Sequence, residues 1–525
     1  MQGEWTGEPV GPDVWVTCRE LIPAGSVFAF LAEHRQALFP PTMFTDMYPS
    51  PNGRPSMPPQ VLAAALVLQA LHGLSDFDTV QELRCDLRWK AACGLGLYDT
   101  AFDPSLLTYF RRRLARSTDP NRVFTRVQQV IAATGVLTGR KRRALDSTVL
   151  DDAVATQDTV TQIIAAIRRV IREVPGASEV AAACCTACNY SAAGKPVIAW
   201  DDEQARQVLV DALVTDAVAL LAHLPAQPLG ERAANAVGVL ALVAYQDVEP
   251  ADGSDGCDGR WRIARRTAPD RVVSTVDPES RHVHKNRTRY QDGYKAHLAV
   301  EPETGLFTAV ALRPGAGADH HEATVAEELL AGEEAVTVLG DAAYGTGAAR
   351  RALQAVGHTL VIKPPPLRRA VPGGFTVDDF QVDTAAGLVT CPAGQTVALG
   401  RPQANGARIA QFKKRCADCP LRIRCTTSAT GRNLNVHANH DLLAAARRQA
   451  ATDPAWQADY RRWRPPVERG VAWLVAQGNR RLRYLGTIKN NAWLHTRTAA
   501  LNLRTLIHLG LTHADGAWAL KSATA

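Results

Sequence analysis

The sequence predicts a mixed α/β fold made of several units. Its 525 residues are more than one compact core usually organises, and 46% hydrophobic with 21% charged residues is ordinary for a globular protein. Apolar residues recur at helical spacing over residues 20–118 and 155–245, whereas residues 294–362 contain the short alternating and apolar runs typical of strands. No apolar run approaches the roughly 20 residues of a membrane span, so we expect no membrane partner.

The N-terminal unit, residues 1–125, is predicted to be helical and to contact DNA. The apolar run "PQVLAAALVLQALHG" ends in glycine, and an amphipathic helix follows from about Asp78. A third helix, "SLLTYFRRRLAR", begins after an Asp-Pro cap and carries arginines suited to DNA phosphates: Arg111, Arg112 and Arg113. A helical bundle whose arginines only face solvent fits the same pattern.

The first strand of the predicted core lies in residues 140–154. The text "KRRALDSTVLDDAV" places Asp146 after a short Arg-Ala-Leu run, at a strand edge, with Asp151 and Asp152 as nearby alternatives. A turn or N-cap aspartate is the structural alternative. Residues 155–255 then form a helical insertion that ends in the loop "VEPADGSDGCDGRW".

Residues 265–365 supply the remaining strands and a second aspartate. "YKAHLAV" and "LFTAVAL", separated by "EPETG", predict a β-hairpin, and "DHHEATVAEELLAG" predicts a helix. The apolar strand "AVTVLG" ends on Asp341, and a helix and the strand "HTLVIK" follow before three prolines. A carboxylate at the end of a buried strand is exposed on a rigid backbone, which suits a hard cation such as Mg²⁺.

This order of strand, hairpin, helix, strand, helix and strand resembles the RNase H-like fold, whose usual site is a pair of strand-end carboxylates. A third acid, Glu468, occurs in "YRRWRPPVERGVAWLVAQGN", four residues after Arg464. This text resembles the end of the DDE transposases of bacterial insertion sequences, which has Tyr, two residues, Arg, three residues, Glu, six residues and Lys. The Arg and Glu positions match, but the Tyr position holds Arg461 and the Lys position holds Val475.

Three further stretches extend the resemblance to most of residues 25–508. "DGYKAHLAV", "LGDAAYGT" and "RRLRYLGTIKNNAW", with an Arg-Tyr-x-Gly-x-x-Lys pattern ending at Lys489, resemble transposases of the insertion sequence 1182 family. The resemblance implies that Asp146, Asp341 and Glu468 hold two Mg²⁺ or Mn²⁺ ions about 4 Å apart. Water would then cleave a phosphodiester at the end of the element, and the released 3′ hydroxyl would attack target DNA.

The resemblance also implies partners and a location. Double-stranded DNA would bind as the terminal inverted repeats of the element and as the target, and a homodimer on DNA would bring two ends together. We expect a cytoplasmic protein at the bacterial nucleoid, because the N-terminal text lacks the basic start and apolar core of a signal peptide. Two alternatives stay open: a structure-specific RNase H-like nuclease and a domesticated DNA-binding protein that has lost catalysis. The three intact acids argue against the second alternative only.

Basic residues bunch in the C-terminal unit, residues 456–525. Ten Arg or Lys lie between Trp456 and Arg504 against two acids, a density typical of a surface that faces phosphate or of a solvated helix face. Arg464 is expected to hold a DNA phosphate near the metals. Lys295 and His297 share one face of their strand and have the same expected role, with a solvated sheet face as the alternative.

Four cysteines in residues 366–455 predict a structural Zn²⁺ site in a small insertion. Cys391, Cys416, Cys419 and Cys425 occur in "CPAG" and "CADCPLRIRC". Four thiolates can close a tetrahedral site, and the Cys-x-x-Cys pair is knuckle-like. Four reduced cysteines in a small core are the alternative, because the last spacing is longer than in most knuckles.

Overall fold

The N-terminal part of the protein is a bundle of helices, as the sequence predicts. The computed structural model describes residues 1–4, 9–50, 52–256, 260–268, 270–284 and 290–521. The bundle contains α1 (Val14–Thr17), α2 (Val27–Leu38), α3 (Pro59–His72), α4 (Asp76–Cys85), α5 (Leu87–Cys93), α6 (Ser105–Arg116) and α7 (Arg122–Thr134). Helix α3 carries no Asp, Glu, Lys or Arg and is buried over almost all of its length, so it forms the centre of the bundle.

Strand β1 (Arg142–Asp151) leads into a second helical region with its own apolar core. Its elements are α8 (Thr159–Glu173), α9 (Ala177–Cys184), α10 (Glu203–His223), α11 (Glu231–Gln246), β2 (Val248–Pro250) and β3 (Trp261–Ile263). The predicted loop after α11 is therefore partly wrong, because its two ends pair as the antiparallel strands β2 and β3. The reason is Trp261, which packs against Tyr245 and the helical core, with ring centroids 5.5 Å apart. Residues 257–259 of that predicted loop lie outside the described residues.

A mixed sheet forms the centre of the protein. It is built from β1 together with β4 (Arg281–His284), β5 (Tyr290–Val300), β6 (Phe307–Pro314), β7 (Thr337–Gly340) and β8 (Thr359–Ile362), while α12 (Glu322–Leu329) and α13 (Gly347–Ala355) connect the later strands. The order is β4-β5-β1-β7-β8, with β6 also paired to β5. The pairs of β5 with β1, β4 and β6 are antiparallel, whereas β1, β7 and β8 are parallel. The predicted hairpin is confirmed as β5 and β6.

The rest of the chain adds a small β-rich region and a group of helices. The β-rich region contains β9 (Gln381–Asp383), β10 (Leu388–Thr390), β11 (Thr396–Ala398), β12 (Arg408–Gln411), α14 (Arg422–Cys425) and β13 (Asn433–Val436). The helices are α15 (His440–Thr452), α16 (Pro454–Trp463), α17 (Pro466–Val475) and α18 (Thr487–His508), followed by the hairpin of β14 (Leu511–Ala514) and β15 (Ala517–Leu520).

The alternation of side chains along the strands gives the sheet two buried faces. Tyr294, Ala296 and Leu298 of β5 belong to the large core shared with the N-terminal bundle and α18. Leu145 of β1 and Val338 of β7 belong to a smaller core formed with α12 and α13. The mixed α/β architecture with a helical N-terminal part is therefore confirmed.

Arg497, on α18, joins the N-terminal bundle to the C-terminal helices. Its buried guanidinium donates to the carbonyl oxygens of Leu71 at 2.8 Å, Trp473 at 2.6 Å and Leu474 at 3.2 Å. These carbonyls lie in the last turns of α3 and α17, where the helices leave such groups without partners. One of the ten basic residues counted as facing phosphate is thus internal.

No single helix in the described part of the chain is long and apolar enough to cross a membrane. Helices α3 and α4 are together long and apolar enough, but the chain bends by 109° between them.

Candidate active site

The register of β1 and β7 brings Asp146 and Asp341 side by side. Ala144 lies opposite Leu339 in this parallel pair, and each aspartate follows two residues later, Asp146 within β1 and Asp341 directly after β7. Strand β7 ends at Gly340, so Asp341 follows directly after it, as predicted.

The predicted position of Asp146 at a strand edge is wrong, because β1 continues to Asp151. The second half of β1 pairs with β5, for example Thr148 with Ala296, after its pairing with β7 has stopped. The backbone of Asp146 is therefore held by β5 on one side and is no longer paired with β7 on the other.

The turn after β7 positions Asp341 through small residues. The Asp341 carboxylate accepts a hydrogen bond from the backbone of Ala343 at 2.9 Å, which closes a tight turn. A Cβ atom at Gly345 would collide with the carbonyl oxygen of Lys363, so only glycine fits the close approach of this turn to the end of β8. The motif "LGDAAYGT" is therefore a turn that presents a carboxylate at a sheet edge.

Arg464 forms an ion pair with Asp146. Its Nη2 atom lies 3.1 Å from Oδ1 of Asp146, and only 9% and 15% of the two side chains are exposed. The Nε and Nη1 atoms of Arg464 are buried and have no hydrogen-bond partner among the described residues. Burial raises the pKa of Asp146, Arg464 lowers it and Asp341 raises it, and the net direction is upward.

Glu468 is exposed on the first turn of α17, which packs against β1. Tyr460, on the last turn of α16, is a tyrosine whose pKa these carboxylates affect. Burial raises the pKa of the Tyr460 hydroxyl, Arg464 lowers it, and the carboxylates of Asp341, Asp146 and Glu468 each raise it. Arg464 precedes Glu468 by four residues and pairs with Asp146, which lies beside Asp341, so the geometry places Glu468 on the helix next to the two aspartates.

A second carboxylate cluster adjoins this region from α12. Glu322 accepts hydrogen bonds from Lys295 Nζ and Ser147 Oγ, both at 2.9 Å, and Ser147 follows Asp146 in β1. Burial raises the pKa of Glu322, but Lys295 and the hydrogen bonds that the carboxylate accepts together lower it to about 2. The carboxylate is therefore held ionised chiefly by the half-buried Lys295.

Tyr344 lies between the two clusters. Its hydroxyl is buried without a hydrogen-bond partner among the described residues. Burial first, and then Glu322, Asp146 and Asp341, raise its pKa well above the ordinary value.

Sequence reasoning missed Glu322 and Tyr344. Glu322 stands in a helix with other glutamates that face solvent, and nothing in that spacing distinguishes it. Tyr344 belongs to "LGDAAYGT", so this motif was the sequence signal that could have identified it. Tyr460 stands one residue before the Tyr position of the transposase pattern, which Arg461 occupies.

Lys295 and His297, both expected to hold DNA phosphate, differ in their surroundings, and the role expected of Lys295 stays a prediction. Lys295 is bound to Glu322. His297 is fully buried on the same face of β5, and burial lowers its pKa to about 3, so its ring is neutral at neutral pH. A neutral ring without exposed surface does not suit contact with a DNA phosphate, so this expectation for His297 is wrong.

The three arginines of α6 and Lys489 differ in their surroundings. Arg111 is paired with Asp76 and lies over the ring of Tyr484 at 5.5 Å. Arg112 and Arg113 are exposed, and Arg113 covers the ring of Tyr48 at 4.3 Å. Lys489 is exposed on the first turn of α18. Arg112, Arg113 and Lys489 are thus open to solvent, whereas Arg111 has an internal counter-charge.

The four cysteines line one small cavity of about 20 Å³ in the β-rich region. Burial raises the pKa of Cys425, Arg432 lowers it, and Cys416, Cys391 and Cys419 raise it. The backbone N–H of Arg432 donates to Cys416 Sγ at 3.5 Å.

Neither the acids nor the cysteines stand in a finished metal-binding arrangement. Within the described ranges, no group of three or more His, Cys, Asp or Glu side chains is placed to hold a metal ion. The donor types nevertheless fit. Carboxylate oxygens are the ligands Mg²⁺ prefers, and a set of four thiols suits Zn²⁺.

Family models of transposase domains match three parts of the chain. One described as "Transposase domain (DUF772)" matches residues 17–113, and two described as "Transposase DDE domain" match residues 264–383 and 390–507. Asp341 lies in the second range and Glu468 in the third, whereas Asp146 lies between matches. No curated protein and no solved structure matches the chain. The chain therefore carries transposase DDE domains, which support a DNA transposase of the insertion-sequence type.

Proposed function

We propose that the protein is a DNA transposase of the insertion sequence 1182 family that binds the ends of a mobile element and cleaves and transfers DNA strands with Mg²⁺. The observation that carries the proposal is geometric: the register of β1 and β7 places Asp146 beside Asp341, and Arg464, four residues before Glu468, pairs with Asp146 at 3.1 Å. Three acids from distant parts of the chain have no structural need to meet there, since their mutual repulsion opposes folding.

The topology supports an RNase H-like core. Three antiparallel strands, β6, β5 and β1, are followed by β7 and β8 parallel to β1, with Asp146 on β1 and Asp341 directly after β7. We place this core at residues 140–154, 265–365 and 456–525, with the DNA-binding unit at 1–125. The separate apolar cores of α8–α11 and of β9–β13 support insertions at 155–255 and 366–455.

Asp146, Asp341 and Glu468 are the residues that would hold two Mg²⁺ or Mn²⁺ ions. When bound, such ions supply a lowered pKa for the attacking water and stabilisation of the leaving oxygen. Arg464 would bind a phosphate oxygen of the DNA, because two of its donor groups are buried without a partner among the described residues, and such groups cost about 1–3 kcal/mol each unless a ligand satisfies them. Glu322 and Lys295 would hold the Ser147 side of β1 in place.

The cysteine cavity supports a structural Zn²⁺ as part of the proposal. Four thiols around a cavity of about 20 Å³, with a backbone N–H donated to one sulfur, have the composition of a zinc knuckle. Zinc would stabilise a region whose apolar core contains few large side chains.

The test is strand cleavage of labelled DNA taken from the borders of the gene. Asp341→Asn and Glu468→Gln should abolish cleavage in Mg²⁺ while a gel shift shows unchanged binding, because the amides keep the shape and remove metal-binding charge. Asp151→Asn is the matched control, since Asp151 lies on β1 but is not among the groups that act on Tyr460.

Robust cleavage by Asp341→Asn would contradict the proposed site. Short inverted repeats flanked by a direct duplication around the gene would favour a transposase over a resident nuclease. A protein that binds DNA but never cleaves it would instead favour a domesticated DNA-binding protein.

A further inference from the structure

A cavity of about 200 Å³ lies between the N-terminal bundle and the C-terminal helices. Helices α3 and α6 form one wall, and the segment from Asn479 to Thr496 forms the other. Leu66, Leu114 and Trp493 are among the apolar residues that line it. The cavity is several times the volume of a water molecule and smaller than most sites for drug-sized ligands, so it suits a single ring system.

The mouth of the cavity is positively charged. Arg112, Arg483 and Lys489 line it, and none of the three forms an ion pair with a described residue. Arg111 also lines it but is neutralised by Asp76. An apolar interior behind uncompensated cations suits a ligand that combines a flat apolar ring with negative charge, which is the chemistry of a nucleotide.

Ile488 adds an independent indication of DNA. It lines the same cavity beside Lys489, yet 76% of its surface is exposed. Apolar side chains that project from a basic surface are used by DNA-bending proteins as wedges between base steps. A wedge next to a ring-sized cavity could replace a base in the stack while the cavity receives that base.

These features also explain a motif that the acidic site leaves unused. Three of the four named positions of the Arg-Tyr-x-Gly-x-x-Lys pattern line the cavity: Arg483, Tyr484 and Lys489. Tyr484 is held under Arg111, with 5.5 Å from the guanidinium carbon to the ring centroid, so it forms a fixed aromatic wall.

We propose that this cavity binds one unpaired base of the DNA on which the protein acts, with Ile488 as the wedge and Arg112 and Lys489 on the flanking phosphates. The inference rests on the proposed function, because it takes DNA as the partner, and it adds a feature of that DNA which the acidic site does not specify.

The experiment compares the binding of three DNA duplexes of one sequence to the full-length protein. One is fully paired, one has a single bulged 2-aminopurine, and one has an abasic bulge. We expect the base bulge to bind roughly tenfold more tightly than the other two, since stacking one base contributes about 1–3 kcal/mol. The fluorescence of the 2-aminopurine should also change on binding.

Two exposed positions allow variants that do not disturb the core. Ala115→Trp fills the cavity from its edge, and Ile488→Ser removes the wedge. Both should lose the preference for the base bulge and still bind paired DNA. Arg112→Gln should weaken binding of the base-bulged duplex more than Arg116→Gln does. Arg116 is the matched control on the same helix, because it does not line the cavity.

Each contrary result has a distinct meaning. Equal binding of all three duplexes, or equal effects of the two arginine variants, would overturn the base-binding role and leave the proposed transposase unaffected. Tight binding of the abasic bulge would show that the protein prefers a flexible backbone to an unpaired base, and would also overturn the base-binding role. Free deoxyadenosine monophosphate that binds as tightly as the bulged DNA would make the cavity a mononucleotide site. Failure to bind any duplex would overturn the proposed function itself.

Discussion

Asp146→Asn is expected to abolish cleavage without destabilising the protein, and to raise its stability slightly at neutral pH. Burial, the largest influence, raises the pKa of Asp146, Arg464 only partly offsets it, and Asp341 adds to it. A carboxyl group whose pKa is raised by folding opposes folding when it is ionised. Asparagine keeps the shape and removes this opposition, a gain we expect to be about 0.5–2 kcal/mol in the free energy of unfolding.

The competing effect is the loss of the counter-charge of Arg464. Removing one partner of a well-made buried pair usually costs about 3–5 kcal/mol. Here only Nη2 reaches Asp146, at 3.1 Å, and the other two nitrogen positions of the guanidinium lack partners among the described residues. The pair is far from the two-pronged geometry of strong pairs, and the carboxamide oxygen of asparagine can still accept from Nη2. We therefore expect the relief of carboxylate burial to win.

Urea denaturation across a pH series measures this difference. Ionised Asp146 opposes folding at any pH above its folded pKa, and the opposition disappears once the pH falls below the ordinary aspartate pKa of about 3.9. Wild type and Asp146→Asn should thus differ at pH 7 and converge in acid, while the control Asp151→Asn should show no such gain. A loss of about 3 kcal/mol or more at pH 7 for Asp146→Asn would refute the reasoning, because the ion pair with Arg464 would then outweigh the burial of the carboxylate.

Two other changes test the framework around the site. Arg497→Met should lower the free energy of unfolding by about 3–5 kcal/mol, because it leaves buried helix-end carbonyls without a donor. Arg504 is an exposed arginine over Trp473 on the same helix, and Arg504→Met should cost about 1 kcal/mol or less in the same denaturation assay. Equal denaturation midpoints for the two variants would contradict the role of Arg497. Metal analysis of protein purified without added zinc should find one zinc per chain, and Cys416→Ser with Cys419→Ser should remove it; a zinc-free protein of normal stability would refute the zinc site.

Local pattern predicted most elements because their signals are carried by neighbouring residues. The glycine after α3, the Asp-Pro text before α6 and the "EPETG" turn between β5 and β6 all mark ends that depend on backbone geometry at one or two positions. The end of β1 was missed for the opposite reason. Its extension to Asp151 depends on pairing with β5, about 150 residues later, and no local residue encodes that partner.

The candidate site likewise contains some residues that local motifs predicted and others that only the fold revealed. Asp341, Glu468 and Arg464 lie in short motifs whose residues adjoin one another in the chain. Glu322 became visible only when folding placed Lys295 and Ser147 within 2.9 Å of it. Basic density also proved ambiguous, because Arg497 is internal while Lys489 is exposed on the same helix. A charge count does not tell which side of a helix faces the core.

The position of Glu468 relative to bound DNA depends on contacts outside the acidic site. Helix α17 begins two residues before Glu468 and ends at Val475, and the carbonyls of its last turn are bound by Arg497. The same guanidinium binds the carbonyl of Leu71 in α3, whose neighbour Ala70 lines the proposed base cavity. The wall of that cavity and α17 are therefore joined by a buried, hydrogen-bonded connection rather than by a loop. If the protein cleaves DNA at the three acids, as we propose, this connection would tie the N-terminal unit to the position of Glu468, and misplacement of a reacting group by about 1 Å can lower a rate by about 100-fold.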